Sequence, residues 1–178
     1  MVQLKNKHNG DVFLQYISLN DVNSTYVNWL NDPQVNQYLE TRFQQQTLSS
    51  VTCFVEDILA NHSDHLFTIR SHLNGHIGNI KIGGINKHHG VGYISLFIGD
   101  KTVWGKGYAK QAIQLVSDYA FNTLQLRKLS ARAYQPNIGS TKAFLSAGYK
   151  HDGIFKDHFV LHGKSCDLIQ VCLFKSEP

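Results

Sequence analysis

The segment TVWGKGYAKQAIQLV, residues 102 to 116, changes from a glycine-rich turn into a pattern typical of a helix. Its glycines, Gly105 and Gly107, permit a sharp turn that leaves backbone amides uncovered. The first helical turn carries Lys106 and Lys110 and no acidic residue, although each cation there costs about 0.3–1 kcal/mol. Uncovered amides and the helix dipole form an anion site, and a pyrophosphate would offset that cost. The alternative interpretation is a turn before a surface helix with solvated lysines.

Two common phosphate-binding patterns do not fit this loop. A P-loop requires G-x-x-x-x-G-K-S/T, but Lys106 is followed by Gly107 and the earlier Gly99 stands at the wrong spacing. A dinucleotide-binding turn requires G-x-G-x-x-G in the first strand–helix–strand unit. Here the third glycine position holds Lys110 and the loop lies past mid-chain. The segment therefore predicts a different anion-binding turn between a strand and a helix.

The segments on either side of this helix predict strands. Residues 90–99, GVGYISLFIG, precede the loop, and residues 127–134, RKLSARAY, follow the helix. Because a helix joins them, we expect the two strands to lie parallel in one sheet. Small and branched side chains at helical spacing would pack the helix closely onto that sheet. They are Ala109, Ala112, Ile113, Val116 and Ala120.

The rest of the chain predicts further strands and helices in a mixed order. Strands are predicted at 11–18, 149–160 and 167–175, and Asn74-Gly75 predicts a hairpin between two alternating runs within 65–85. Helices are predicted from a cap at Asp21 to Pro33, at 34–40, at 47–61 with Thr47 as the cap, and at 137–148. The expected fold class is α/β or α+β, with one mixed sheet in a single domain over residues 1–178.

Composition and charge narrow the class of protein. Apolar residues make up 42% of the chain and charged residues 17%, and the net charge of +4 suits an anionic small ligand. No Lys/Arg run indicates nucleic acid binding, and no apolar run indicates a membrane span or signal peptide, so we expect a cytoplasmic protein. Three cysteines without C-x-x-C argue against a disulfide framework. The ten histidines include no H-E-x-x-H, so no metal site is expected.

Four motifs, in order along the chain, carry a resemblance to a known family. WGKGYA (104–109) resembles the pattern Q/R-x-x-G-x-G/A, from which Trp104 departs. The other three are WLNDPQVNQYLETR (29–42), NIGSTKAFLSAGY (137–149) and GIFKDHFVLHGKSCDLIQVCLF (153–174). Together they make the sequence similar to the GNAT superfamily of acetyl-CoA-dependent N-acetyltransferases, and within it to the RimJ/RimL-type branch.

The resemblance implies a splayed mixed sheet of about seven strands with about four flanking helices, and acetyl-CoA as cosubstrate. Pantetheine would pair with the strand near its end, and the pyrophosphate would rest on the loop amides. Asn137 would hold the pantetheine arm, although it is also a candidate helix cap after Pro136. Lys142 would reach the adenosine phosphate. The implied cofactor-binding residues are Phe97, Ile98, Gly99, Trp104, Gly105, Lys106, Gly107, Tyr108, Ala109, Asn137 and Lys142.

The resemblance also places the acid that protonates the departing thiolate at Ser140, for which the alternative is a serine of the first helical turn. Phe144 stands where many relatives have a tyrosine, and Tyr108 and Tyr149 are the substitutes considered for it. A backbone amide near Ile98 is the candidate donor to the developing oxyanion.

The general base is not specified by this pattern, because the predicted strand at 90–99 contains no carboxylate. Glu40 is the first candidate, His158 the second and Asp157 the third, and a chain of water molecules is a further alternative. Glu40 and Arg42 are also the candidate acceptor-binding residues, with Arg42 suited to an anionic part of the acceptor.

The expected activity is transfer of an acetyl group to a primary amine. The first acceptor considered is a nucleotide-linked amino sugar or another small amine, and the alternative is the N-terminus of a protein. A rival from another class is a non-catalytic sensor of CoA or a nucleotide on the same fold. The expected partners are thus a small-molecule amine or a protein N-terminus, without nucleic acid or membrane, in a monomer or homodimer.

Overall fold

The computed structural model describes residues 3–5, 10–61 and 63–175, over which eight strands and five α-helices alternate in a mixed order. The strands are β1 (Gln3–Lys5), β2 (Val12–Tyr16), β3 (His65–Ser71), β4 (Gly75–Asn86), β5 (Val91–Ile98), β6 (Lys128–Tyr134), β7 (Lys150–Leu161) and β8 (Lys164–Phe174). The helices are α1 (Ser24–Asn31), α2 (Pro33–Asn36), α3 (Leu48–Ala60), α4 (Tyr108–Asn122) and α5 (Ile138–Ser146). Short 3-10 turns cover Leu19–Asp21, Glu40–Phe43 and Lys101–Val103.

One sheet contains all of these strands, in the order β1-β2-β3-β4-β5-β6-β8-β7. Neighbouring strands are antiparallel except β5 and β6, which pair in parallel from Val91↔Lys128 to Tyr93↔Ser130. The predicted parallel pair and the mixed sheet are confirmed. The strand beyond the expected seven is β1, whose three residues pair with β2. Its sequence, QLK, is too short to show the apolar alternation that identifies a strand.

The strands β5 and β6 separate beyond their short parallel pairing. Strand β5 stays paired with β4 as far as Ile98↔Gly78, and β6 stays paired with β8 as far as Tyr134↔Leu168. Residues 94–98 of β5 and 131–134 of β6 therefore have an open space between them, which we call the wedge. The wedge is the splay that the resemblance implied.

Helices cover both faces of the sheet. On one face, α4 packs a fully buried stripe that includes Ala112, Ile113, Val116 and Ala120 against the strands, as its spacing predicted. On the other face, α1 and α3 bury a second cluster of side chains against Leu66 of β3, made of Tyr26, Leu30, Val51 and Val55. Burial of each large apolar side chain contributes about 1.5–3 kcal/mol, so both layers hold the strands at a fixed separation.

Two predicted helix boundaries are wrong. Asn23, not Asp21, caps α1, and its side chain accepts a hydrogen bond from the Tyr26 amide at 3.1 Å. Asp21 is buried instead and forms an ion pair of 2.5 Å with Arg70, a partner 49 residues away that no local pattern indicates. The helix predicted at 34–40 is only the short α2, followed by a separate 3-10 turn from Glu40. Thr47 caps α3 as predicted.

The last two strands form a longer hairpin than predicted. Strand β8 begins at Lys164, and the turn uses His162 and Gly163, both in the left-handed backbone region. All three cysteines are free. Within the described ranges, no helix combines the length and the apolar character that crossing a bilayer requires.

Candidate active site

The wedge exposes one backbone edge of β5. The Gly99 amide donates to the Ile77 carbonyl at 2.8 Å, so alternate residues of β5, Phe97 among them, pair with β4. The same alternation turns the backbone groups of Leu96 and Ile98 toward β6, at the level where β6 has moved away. An extended ligand in the wedge would pair with these groups as an added strand does.

A cavity of about 540 Å³ opens at the wedge. Its walls come from β4, β5 and β6, from the first turn of α5, and from the segments that include α1, the Glu40–Phe43 turn and α3. Among the predicted site residues, Glu40, Phe97, Asn137 and Ser140 line it together. The fold thus brings residues from three distant parts of the chain to one cavity.

The glycine loop ends in a group of unused backbone donors. Gly105 and Gly107 have φ of 76° and 78°, where a side chain would strain the backbone, and a Cβ on either would meet nothing within 4 Å. The amides of residues 105 and 107–110 donate to no described residue. They lie at the N-terminus of the 15-residue α4, whose dipole adds positive potential. This geometry fits a pyrophosphate.

A hydrogen bond between Tyr108 and Asp11 fixes the start of α4. The hydroxyl of Tyr108 donates to Asp11 Oδ2 at 2.6 Å, and the hydroxyl of Ser71 donates to the same oxygen at 2.8 Å. The Tyr108 hydrogen bond is the main cause that holds the pKa of Asp11 below its ordinary value, so the carboxylate stays ionised. Tyr108 is therefore anchored to Asp11 at the start of β2, beside the end of β3, and the loop before it is held in place.

Exposed lysines lie beside the loop and on α5. Lys106 and Lys110 beside it, and Lys142 on α5, form no ion pair with any described residue. The side chain of Trp104 is 45% exposed, and its indole N–H donates to the Ile98 carbonyl at 2.9 Å. Trp104 therefore closes the end of the exposed β5 edge. Lys106 and Lys110 therefore add positive charge beside the loop amides.

Asn137 and Ser140 form the first turn of α5. Asn137 Oδ1 accepts from the Ser140 amide at 3.1 Å, so the helix-cap interpretation of Asn137 is confirmed. Its amide nitrogen and the Ser140 hydroxyl have no hydrogen-bond partner among the described residues. Both side chains thus retain donors at the cavity wall.

Glu40 belongs to a three-residue hydrogen-bond group. The hydroxyl of Tyr134 donates to Glu40 Oε1 at 2.6 Å, and the Arg42 guanidinium donates to the same hydroxyl at 2.8 Å. Burial, followed by the hydrogen bond to Glu40, raises the pKa of Tyr134, so the hydroxyl remains a donor. The Glu40 side chain is 66% exposed and lines the cavity. Arg42 does not line it, because Leu39, Tyr134 and Val160 occupy its N–H groups.

Two of the base candidates lie apart from the cavity. His158 is exposed on β7 and contacts the ring of Phe159 edge to face at 5.2 Å, and it is not part of the lining. Asp157 stands at a bulge of β7, exposed and with φ of 50°. Glu40 is the candidate base that the fold places at the cavity.

The alternative tyrosines are also engaged elsewhere. Tyr149 is buried, its hydroxyl lies 2.9 Å from that of Ser117, and burial raises its pKa. Tyr108 contacts Asp11 as described above. Phe144 lines the cavity without a polar group. Within the described residues, no three His, Cys, Asp or Glu side chains converge as a metal site would require.

Sequence reasoning missed Tyr134, which orients Glu40, and Asn79, which is 2% exposed and lines the cavity from β4. Tyr134 ends a strand that was predicted to be parallel to β5. Ligands gather at the carboxyl ends of parallel strands, so its position was the one signal available. Asn79 carried no signal, because it lies inside an apolar alternating run.

The arrangement is that of an acyl-CoA-dependent transferase: a split parallel strand pair, an exposed strand edge and an amide-rich helix N-terminus. The chain matches the acetyltransferase (GNAT) domain family over residues 11–150. The chain belongs to this family and is an N-acetyltransferase that uses acetyl-CoA as cosubstrate. The hypothesis of a non-catalytic sensor is therefore set aside.

Known proteins show how far the likeness extends. The uncharacterized N-acetyltransferase p20 of Bacillus licheniformis is 26% identical over 167 residues, which cover 92% of this chain and 93% of that protein. Spermidine N(1)-acetyltransferase of Escherichia coli is 29% identical over 73 residues, covering 41% of this chain and 39% of that protein. The crystal structure of spermidine N-acetyltransferase from Vibrio cholerae with CoA and spermine superposes with a TM-score of 0.82 at 18% identity, covering 93% of this chain and 96% of that one. That identity shows a shared fold.

Proposed function

We propose that this enzyme acetylates the primary amine of a small molecule, with the cosubstrate held along the wedge. The observation that supports it most strongly is the alignment of unused amides at residues 105 and 107–110 with the open edge of β5. A single ligand with an anionic pyrophosphate and an extended amide-containing arm would satisfy both sets of donors.

Each candidate cofactor residue then has a role. The loop amides and Lys106 bind the pyrophosphate, while Trp104, Phe97 and Gly99 border the strand edge that pairs with pantetheine. Asn137 donates its free amide N–H to the pantetheine arm, and Lys142 binds the adenosine phosphate. The Ile98 amide points into the wedge and donates to the thioester oxygen as negative charge develops there.

Ser140 and Glu40 carry the proton transfers in this proposal. A free alkyl amine is protonated near pH 7, so a proton must leave before attack on the thioester. Glu40, oriented by Tyr134, binds the ammonium and accepts that proton. The Ser140 hydroxyl, which has no other described partner, donates a proton to the departing thiolate and regains one from the positively charged nitrogen of the tetrahedral intermediate as the amide forms.

Several acceptors remain within this class. The names of the Escherichia coli and Vibrio cholerae proteins support a small amine over a protein N-terminus. A nucleotide-linked amino sugar is a further small amine that the sequence suggested. The RimJ/RimL-type branch and a monomeric or homodimeric state stay predictions.

The test begins with thermal unfolding in acetyl-CoA, with ATP and NADH as controls. At a hundred times Kd, binding stabilises the fold by about 2.7 kcal/mol, which raises Tm by several degrees. An equal rise with ATP would contradict the proposal, because the loop would then be a general anion site.

Release of CoA in the presence of amines tests the chemistry. Ser140→Ala should lower kcat while it keeps the Tm shift with acetyl-CoA, since the hydroxyl acts on the leaving group. Ser146→Ala, at the other end of α5, is the matched control and should change neither. Full kcat in Ser140→Ala would remove Ser140 from the mechanism.

A further inference from the structure

One part of the cavity wall is mostly aromatic and aliphatic. We call it the acceptor wall. It consists of Tyr26, Leu30, Tyr38, Leu39, Phe54 and Phe159, contributed by α1, the segment after α2, α3 and β7. Phe159 also stacks on Tyr134, with ring centroids 4.0 Å apart and planes 13° apart, so this part of the wall is flat and rigid. Phe54 is 42% exposed although it is a large apolar side chain at the cavity. Such a surface favours an apolar or aromatic ligand.

The charged side chains that line the cavity also restrict which acceptor can bind there. Glu40 is the only carboxylate among the described residues that line it, and it already accepts from Tyr134. Two cations, Lys81 and Arg132, line the same cavity. Lys81 is paired with Asp64 at 3.1 Å, whereas the Arg132 guanidinium lies 4.8 Å from the centre of the Tyr93 ring and forms no ion pair with a described residue. The same Glu40 oxygen also lies 3.7 Å from Arg42 Nη1, so the carboxylate can bind at most one further positive charge.

We infer that the acceptor is an amine with a single positive charge and an aromatic or other apolar body. This inference rests on the proposed function and narrows it. The ammonium binds Glu40, and the body lies against the acceptor wall, where its burial contributes to binding. Phe54 is then a specificity-determining residue, because it offers the exposed ring that the body covers.

The same features disfavour the other small amines. A polyamine brings two or more ammonium groups, and those beyond the first would face Arg132 and Lys81 without a carboxylate to bind them. An amino sugar brings several hydroxyl groups, and those that lie against the leucine and phenylalanine side chains of the acceptor wall find no hydrogen-bond partner there. An amine with a single positive charge and an apolar body leaves neither an ammonium group nor a hydroxyl group without a partner.

Steady-state CoA release with purified enzyme and acetyl-CoA tests this inference. The acceptors compared are 2-phenylethylamine, ethylamine, spermidine, glucosamine and a short peptide with an N-terminal alanine. We expect kcat/KM for 2-phenylethylamine to exceed that for spermidine, glucosamine and the peptide by roughly tenfold or more. An equal or higher value for any of those three would overturn the inference and leave the N-acetyltransferase function intact.

Two variants distinguish a role of the acceptor wall in amine binding from a general effect of losing an exposed aromatic ring. Phe54→Ala should lower kcat/KM for 2-phenylethylamine by roughly tenfold and that for ethylamine by a clearly smaller factor, because the larger amine covers more of the ring. Phe174→Ala removes a similarly exposed ring from the end of β8 and should change neither value. Equal losses for both amines in Phe54→Ala would overturn the role of the wall.

Failure of the acceptor inference can be distinguished from failure of the proposed function. A Tm rise with acetyl-CoA, combined with no turnover of 2-phenylethylamine, would overturn the acceptor inference alone. No Tm rise with acetyl-CoA would overturn the proposed function and this inference with it.

Discussion

Replacement of Gly99 by alanine tests how tightly the end of β5 packs against α1. A Cβ at this position would lie 2.1 Å from Trp29 Cδ2, 2.4 Å from Cγ and 2.5 Å from Cε3. Carbon atoms in contact prefer about 3.5–4.0 Å, so the indole must move by more than one ångström. Trp29 contacts the ring of His76 edge to face at 5.1 Å and that of Phe97 at 6.4 Å, so its displacement disturbs the cavity wall.

The expected cost follows from these distances. Overpacking of a well-packed site costs about 1–3 kcal/mol. The φ of Gly99 is not in the left-handed region, so alanine adds no backbone strain there. The loss of glycine's freedom in the unfolded chain returns about 0.4–1 kcal/mol. The net destabilisation of about 1–2 kcal/mol lowers Tm by roughly 2–8 °C for a chain of this size.

Differential scanning calorimetry and CoA release kinetics measure the two consequences, a lower Tm and a higher KM for acetyl-CoA. Gly153→Ala is the matched control, because its Cβ would meet only Phe155 Cε2 at 3.9 Å, an ordinary contact. Trp29→Leu in the Gly99→Ala background should recover part of the loss, so the two changes should not add. An unchanged Tm in Gly99→Ala, or full additivity with Trp29→Leu, would refute the steric argument.

Three further substitutions test other parts of the site. Tyr134→Phe should lower kcat/KM for the amine without changing KM for acetyl-CoA, and should lower the free energy of unfolding by only about 1 kcal/mol, since Glu40 is largely exposed. Gly107→Ala strains a backbone at φ 78° by about 1–2 kcal/mol and should raise KM for acetyl-CoA, whereas Gly163→Ala, at φ 75°, should cost similar stability and leave that KM unchanged. Burial is the main cause that lowers the pKa of His76 below its ordinary 6.5. The unfolded chain therefore binds more protons at mildly acidic pH, and stability falls as pH drops below that value. In urea unfolding at about pH 7 and 5, His76→Gln should lose less stability than the wild type.

A different result would contradict each of these three expectations. A raised KM for acetyl-CoA in Tyr134→Phe would mean that the hydroxyl supports the cofactor side, and equal KM changes in the two glycine variants would mean a general loss of folding. A pH dependence of stability that is identical in His76→Gln and wild type would mean that the buried imidazole does not take up a proton on unfolding.

Local patterns determined much of this protein. The loop around Gly105 and Gly107, the helix behind it and the Thr47 cap depend on residues within a few positions of each other, so their chemistry is visible in sequence. The parallel pairing of β5 and β6 followed from the helix between them. Resemblance of four such motifs to one family then indicated acetyl-CoA, which the family match confirms.

Only the tertiary structure determined which side chains meet at the cavity. Tyr134 and Glu40 are 94 residues apart, and Asp21 pairs with Arg70 of β3 instead of capping α1. No period of 2 or 3.6 residues encodes such contacts, because they depend on how far β5 and β6 diverge and on how the helices pack over the sheet. The sequence by itself thus determined the glycine turn before α4 and the parallel pairing of β5 and β6. The packing of distant elements decided which side chains form the acceptor wall and that Glu40 lines the same cavity.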